Sequence, residues 1–175
     1  MVQNRHDARE VARLIDNLVD QIVASLSESR TLNVVGIRTR GEALAERLAV
    51  KLRERGFTSI GRGALDITLY RDDLAEIGPR PLVRPTNLTI DTDGQPMLLV
   101  DDVAFTGRTV RAALDALADF GRPSAIRLAV LVDRGGRELP IQPDFCALRL
   151  TDLPRERHVQ VHFTEFDGTD EILIT

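Results

Sequence analysis

The chain has 175 residues and a formal net charge of −4, with 43% hydrophobic residues, only 4% aromatic residues and no Trp. That length fits one domain, residues 1–175, whose core is packed by aliphatic side chains. A single cysteine, Cys146, excludes an intrachain disulfide and a multi-cysteine metal site. The acidic balance argues against broad non-specific nucleic-acid binding, and the lack of a long apolar span predicts a cytoplasmic protein with no membrane role.

Asp7-Ala8-Arg9-Glu10 has the form of a capping box. After it Val11, Leu14, Ile15, Leu18, Val19, Ile22, Val23 and Leu26 recur at the helical period, an apolar stripe wide enough to permit a subunit contact. Thr31 to Ile37 reads as a strand. A second helix starts near Gly41 and stops at Gly56, with Leu44, Ala45, Leu48, Ala49 and Leu52 facing inward. Ala64 to Tyr70 alternates as a strand does. Residues 71–85 then turn polar, with Gly78, Pro79, Pro81 and Pro85, a composition that suits either a disordered segment or a working lid.

Met97 to Val100 is an apolar run of the kind buried on both faces of a parallel sheet, ending in Asp101 and Asp102. A helix over 107–120 follows, then an apolar strand from Ile126 to Val132. Strand and helix alternate through the middle of the chain, which predicts an α/β fold: a parallel sheet flanked by helices. The tail from 143 is short strands and turns, expected as a small cap over 143–175 beside the sheet. His158 and His162 share one face of a strand there and read as solvated. Cys146, in an apolar run, reads as a small buried hydrophobe.

The chemistry concentrates between Val100 and Thr109. Two carboxylates stand at the carboxyl end of a strand, where open α/β sheets bind ligands. Thr106, Gly107, Arg108 and Thr109 supply backbone N–H groups and hydroxyls at a helix N-terminus, a ready anion site. A ribose 5-phosphate has both faces this arrangement asks for: hydroxyls for the carboxylates and a phosphate for the amides. Neither the nucleotide-triphosphate loop nor the dinucleotide-binding glycine pattern occurs in the chain.

Val100-Asp101-Asp102-Val103-Ala104-Phe105-Thr106-Gly107-Arg108-Thr109 resembles the phosphoribosyl-pyrophosphate (PRPP) signature of type I phosphoribosyltransferases. Gly36-Ile37-Arg38-Thr39-Arg40-Gly41, Asp66-Ile67-Thr68-Leu69-Tyr70-Arg71-Asp72-Asp73-Leu74 and Leu131-Val132-Asp133-Arg134-Gly135-Gly136-Arg137-Glu138-Leu139-Pro140 narrow the resemblance. In this order they are similar to the bacterial pyrimidine-operon regulators with uracil phosphoribosyltransferase activity, the PyrR type. The resemblance spans about residues 7–170.

It implies a type I phosphoribosyltransferase fold with a hood, formed by the chain's ends, as the cap. It implies transfer of phosphoribose from PRPP to uracil, giving UMP and pyrophosphate, with Mg2+ carried by the substrate and no direct protein ligands to the metal. Asp101, Asp102 and Arg40 are then the catalytic candidates. Thr39, Arg40, Asp101, Asp102, Val103, Ala104, Phe105, Thr106, Gly107, Arg108 and Thr109 are candidates for binding PRPP or UMP. Val132, Asp133, Arg134 and Arg137 would read uracil, and Arg71, Arg80 and Arg84 would act from the lid. A homodimer or higher homo-oligomer is implied as well.

The chain departs from the family pattern in places. Phe105 replaces a Tyr and Ala104 a larger aliphatic residue. The family also binds a hairpin in pyrimidine-leader mRNA through basic and His residues. Here Asp16 and Asp20 stand in a first helix that is usually more basic, Gly136 stands where His is typical, and Thr151-Asp152-Leu153-Pro154 replaces a Pro-Thr-Ser stretch. Arg155 and Arg157 partly compensate for the lost charge. Two alternatives to the enzyme reading stay open: a non-catalytic or weakly catalytic RNA-binding attenuation regulator, and a transferase for another base.

Overall fold

A computed structural model describes residues 4–26, 31–71, 86–150 and 153–175. Strand β1 (Arg5–His6) leads into helix α1 (Ala8–Ser25), which Asp7 caps: its carboxylate accepts from the Glu10 N–H at 3.0 Å while Glu10 accepts from the Asp7 N–H at 3.1 Å. The capping box thus forms as read from sequence. Strand β2 (Thr31–Ile37), helix α2 (Arg40–Glu54) and strand β3 (Ser59–Leu65) follow. Next come β4 (Pro96–Ala104), α3 (Arg108–Leu117) and β5 (Ala125–Asp133). The chain closes with β6 (Phe145–Arg149), β7 (Val159–His162), a four-residue helix α4 (Thr164–Asp167) and β8 (Glu171–Ile174).

Five strands form a parallel sheet in the order β3-β2-β4-β5-β6, and β1-β8-β7 form a separate antiparallel sheet, the hood. Both faces of the parallel sheet are covered. Leu98 and Val100 of β4 pack with α1, α2 and the hood, while Met97 and Leu99 pack with α3 on the other side. The same alternation splits Ala129 and Leu131 from Leu128 and Val130 in β5. Double-sided burial is why these strands read as continuous apolar runs.

The structure corrects several expectations. The strand expected over 64–70 lies earlier, at Ser59–Leu65, and residues Thr68–Tyr70 form a 3-10 turn. Gly61 and Gly63 obscure the strand in the sequence, and neighbouring side chains fill the space beside them. A Cβ at 61 would lie 2.1 Å from Asn33 Oδ1, and one at 63 would lie 2.5 Å from Leu88 Cδ2. Strand β4 continues through the Asp pair to Ala104, because Val103 and Ala104 stay in register with Val132 and Asp133 of β5.

The cap expected to begin near 143 begins later. Phe145–Arg149 joins the main sheet as its edge strand, paired parallel with β5. Gln21 of α1 secures it, donating to the Cys146 carbonyl at 2.9 Å and accepting from the Cys146 N–H at 3.2 Å. The stripe on α1 is spent inside the chain, since Val11, Leu14, Ile15, Leu18, Val19 and Ile22 are all buried there. Most of the expected lid, including Arg80 and Arg84, lies outside the described residues. Among the described residues no helix is long and apolar enough to cross a membrane.

Candidate active site

Helix α2 connects β2 to β3 across one face of the sheet, and α3 connects β4 to β5 across the other. The crevice between the carboxyl ends of β2 and β4 is therefore a topological switch point, where open α/β sheets hold their ligands. A cleft of about 420 Å³ opens there, lined by Arg38, Thr39, Arg40, Asp66, Thr68, Arg71, Asp101, Asp102, Val103 and Thr109, with Ile37 and Ile67.

Two glycines bring the cleft's walls together. A Cβ on Gly36 would lie 2.4 Å from the Gly41 carbonyl oxygen, and one on Gly41 would lie 2.6 Å from that of Val100. Strand β2, the first turn of α2 and β4 thus interlock by backbone. The contact sets Thr39 and Arg40, where α2 begins, beside the Asp pair. Thr39 makes no side-chain capping bond, so its hydroxyl is not committed to the helix. The Arg38–Thr39 peptide is cis.

The two carboxylates differ. Asp101 is 6% exposed and its Oδ1 accepts from the Asp102 N–H at 2.9 Å. Burial, then the neighbouring Asp102, holds the Asp101 carboxyl well above the usual carboxylate range. Asp102 is half-buried at the cleft wall. A group with hydroxyl donors or positive charge placed against this pair relieves their repulsion.

Beyond β4 the chain turns at Gly107, whose φ of +95° suits glycine, and enters α3. The first amides of α3 lack intrahelical acceptors, and the Arg108 N–H donates to Thr106 Oγ1 at 3.3 Å. The following loop braces this turn. The Thr106 carbonyl accepts from the N–H groups of Glu138 and Leu139 at 2.9 and 3.1 Å, and Arg108 Nε donates to Glu138 at 2.9 Å.

The residues expected to read uracil are placed in different ways. The Val132 side chain is core, leaving its backbone. Asp133 Oδ1 accepts from the Gly135 N–H at 3.0 Å and from Arg137 Nη2 at 2.7 Å. Arg137 also donates to the carbonyls of Phe105 at 2.6 Å and Ile141 at 2.8 Å, so it ties the two site loops together. Arg134 is buried, stacks 3.8 Å over the Phe105 ring and donates to the Pro154 carbonyl at 2.9 Å. Gly136 has a φ of +77°, and a Cβ there would lie 2.6 Å from that same ring. A second cavity, about 360 Å³, is lined by Asp133, Arg134, Gly135, Gly136, Arg149, Leu150 and Leu153.

The cleft also gathers residues that the sequence singled out less. Arg38 lines it, with a weak 3.6 Å contact to Glu42, and its buried Nε has no hydrogen-bond partner among the described residues. Asp66 stands at the end of β3, where its Oδ1 accepts from the Thr68 N–H at 2.8 Å and the Thr68 hydroxyl at 2.5 Å. Their position at strand ends was the available signal. Arg71, the one described residue of the segment expected as a lid, lines the cleft. Ala104 is buried, while Phe105 carries the stacking described above.

A strand ending in adjacent carboxylates, a helix start that reaches the same cleft through Thr109, and a parallel sheet with a hood define a phosphoribosyltransferase; Thr106 and Gly107 line a smaller cavity of about 90 Å³ that shares Val103 and Thr109 with the cleft. Residues 1–165 match the family described as phosphoribosyl transferase domain. The chain is 52% identical over 167 residues to the bifunctional protein PyrR of Chloroflexus aurantiacus, covering 95% of this chain and 91% of that one. It is 49% identical over 166 residues to the PyrR of Thermus thermophilus, covering 95% and 91%. The chain belongs to the phosphoribosyltransferase family and, within it, to the PyrR proteins. A solved hypoxanthine-guanine phosphoribosyltransferase from Leishmania tarentolae superposes with a TM-score of 0.71 over 99% of this chain and 95% of that one, at 14% identity, a likeness of fold.

Proposed function

We propose that this protein transfers the 5-phosphoribosyl group of PRPP to uracil in the cytoplasm. Uracil N1 bonds to the anomeric carbon, the bond from that carbon to pyrophosphate breaks, and the N1 proton is released, leaving UMP and pyrophosphate. The observation that carries this reading is the cleft lined by Asp101 and Asp102 together with Thr109 at the start of α3. At that edge of the cleft the amides and hydroxyls of the Thr106, Gly107, Arg108 and Thr109 turn hold the 5-phosphate, and the Asp pair accepts from the ribose hydroxyls. The same carboxylates face the sugar as it gains oxocarbenium character, so their field stabilises that charge.

Thr39 and Arg40 meet the leaving pyrophosphate, for which a guanidinium's planar fork is well matched. Arg71, which lines the same cleft, adds its positive charge there; Arg80 and Arg84, also expected to act on the leaving group, lie outside the described residues. Magnesium would enter as part of the substrate, carried by PRPP rather than held directly by this chain, and would supply charge neutralisation on the leaving pyrophosphate. Uracil is read by the loop of Asp133 and Arg134, through the Val132 backbone and the main chain around Gly135, with Arg137 fixing the loop. Polar readout of this kind rejects a base that leaves a buried donor or acceptor unpaired.

Pyrophosphate release with PRPP, magnesium and one free base at a time tests the proposal. Uracil is expected to support turnover at least about 100-fold faster than hypoxanthine, guanine or cytosine. Equal or faster turnover with a purine would replace the substrate assignment, and no turnover with any base would remove the catalytic one.

The second activity is regulation of pyrimidine genes through leader mRNA, with UMP sensed in the same cleft. The charges that bear on it are largely paired within the chain. Asp16 and Asp20 are paired with Lys51 and Arg55 of α2, at 2.7 and 2.5 Å, so α1 does not present them as bare negative charge. Of the two arginines that compensate, Arg155 pairs with Glu138, while Arg157 donates to Asn4 Oδ1 and the Ile174 carbonyl, both at 2.9 Å, and so ties the hood together. Binding to a pyrimidine-leader hairpin that strengthens with UMP and weakens with salt is the matching test.

A further inference from the structure

The hood is docked on α2 through charge. Arg47 donates to Glu165 at 2.8 and 2.6 Å and to Asp170 at 2.6 and 2.8 Å, with its guanidinium 4.8 Å from the centre of the Phe163 ring. The Asp170 carboxyl is held down to about 2, chiefly by Arg47. About two turns toward the cleft, Arg40 makes a second such contact. Its Nε and Nη2 donate to Asp167 Oδ2 and Oδ1 at 3.2 and 2.8 Å. Asp167 is itself fixed, since its Oδ2 also accepts from the Phe163 N–H at 2.9 Å.

The edge of Arg40 that Asp167 occupies decides what this contact does. A guanidinium has five N–H donors. The bidentate pair takes two, on the Nε/Nη2 edge. Both Nη1 donors and one on Nη2 are left, on a residue that lines the cleft. A phosphate group can engage them without displacing Asp167. The carboxylate also removes rotamer freedom from a long side chain before substrate arrives, which is how preorganisation raises affinity. Had Asp167 covered the outer Nη1/Nη2 edge, it would compete with the ligand.

We propose that Asp167 is a positioning residue for the pyrophosphate end of PRPP, holding Arg40 from behind so that hood and pyrophosphate loop form one preset unit. This rests on the reading of Arg40 as a leaving-group contact. Asp167 lies 127 positions from Arg40 in the chain and belongs to the hood. Loosening of the hood therefore reaches the far end of the substrate through this pair, with Arg47 keeping α4 in place.

The test is a double-mutant cycle on the full chain with Asp167→Asn and Arg40→Ala, reading kcat, the KM values for PRPP and uracil, and inhibition by inorganic pyrophosphate. In Asp167→Asn the KM for PRPP and the pyrophosphate inhibition constant are expected to rise about tenfold, with kcat and the uracil KM within about twofold. In the Arg40→Ala background Asp167→Asn is expected to add nothing. An equal effect in both backgrounds, or tighter PRPP binding in Asp167→Asn, would overturn the proposal. An Arg40→Ala variant with unchanged affinity for PRPP and pyrophosphate would instead overturn the leaving-group reading of Arg40. Asp167→Glu, which keeps the charge but shifts the carboxylate by one methylene, serves if Asp167→Asn does not fold; it is expected to raise the PRPP KM in wild type and not in Arg40→Ala, and an equal rise in both refutes positioning.

Discussion

Asp102→Asn is expected to lower kcat for base-dependent pyrophosphate release by about 10²–10³-fold, the range seen when one preorganised electrostatic partner of a transition state is removed. Asp102 is the half-buried member of the pair and lines the cleft directly. Its amide keeps an acceptor for a ribose hydroxyl but loses the field that opposes charge on the sugar. Thr106→Ala is expected to reduce activity as well, through PRPP affinity, because Thr106 Oγ1 organises the first amide of α3. Full activity in both variants would remove the assigned roles.

Asp101→Asn separates activity from stability. Burial and Asp102 raise the folded-state pKa of Asp101 above its unfolded value. Below the unfolded pKa, about 3.9, both states are protonated and the group costs nothing. As pH rises from there toward the folded pKa, the unfolded chain ionises first, so the native state loses stability. At neutral pH Asp101→Asn removes that cost. The variant is expected to melt higher than the parent, by a margin that grows above pH 4, while turnover falls. A lower melting temperature at neutral pH would mean that the buried carboxyl is a net stabiliser of the fold.

Gly36→Ala has the largest expected effect on stability, a loss of about 3 kcal/mol or more, since overpacking against immobile atoms lies at the upper end of its usual range. The added Cβ would meet the Gly41 carbonyl oxygen at 2.4 Å, Glu42 Cα at 2.5 Å and the Glu42 nitrogen at 2.7 Å. All three are backbone, so no side chain can swing away; α2 must retreat from β2. Thermal melting is expected to fall by roughly 6–12 °C for a chain of this size. The retreat carries Thr39 and Arg40 from the Asp pair, so the KM for PRPP is expected to rise in the surviving folded fraction. Parental melting in Gly36→Ala would show that the interlock between β2 and α2 is looser than described.

The sequence showed most clearly the elements whose environment is simple. Strand β2 was legible to the residue, and the run before Asp101 announced a strand buried on both faces. The capping box of α1 is a local motif with a local cause. The failures have long-range causes. Gly61 and Gly63 broke the strand signal of β3 because Asn33 and Leu88, distant in sequence, occupy the space their side chains would need. Phe145–Arg149 looked like part of the cap until its pairing with β5 and its clamp from Gln21 placed it in the main sheet.

The site followed the same division. The Asp pair, Gly107 and the start of α3 were visible because one short stretch contains them all. The ties that shape the rest were not: Arg134 over Phe105, Arg137 bridging two loops, and Arg40 against Asp167 join residues whose contact depends on the finished fold. A guanidinium in the sequence carries no sign of which carboxylate it will meet. Arg134 and Arg137 therefore brace the loop after β5 in a way that only the finished fold creates.

A crystal structure of the protein with UMP tests the central claim most directly. The phosphate is expected within hydrogen-bond distance, about 2.7–3.2 Å, of the amides at Gly107 to Thr109. The ribose hydroxyls are expected on Asp101 and Asp102, and the base beside Asp133 and Arg134. A nucleotide bound with its phosphate away from the start of α3, or its ribose remote from both carboxylates, would contradict the account.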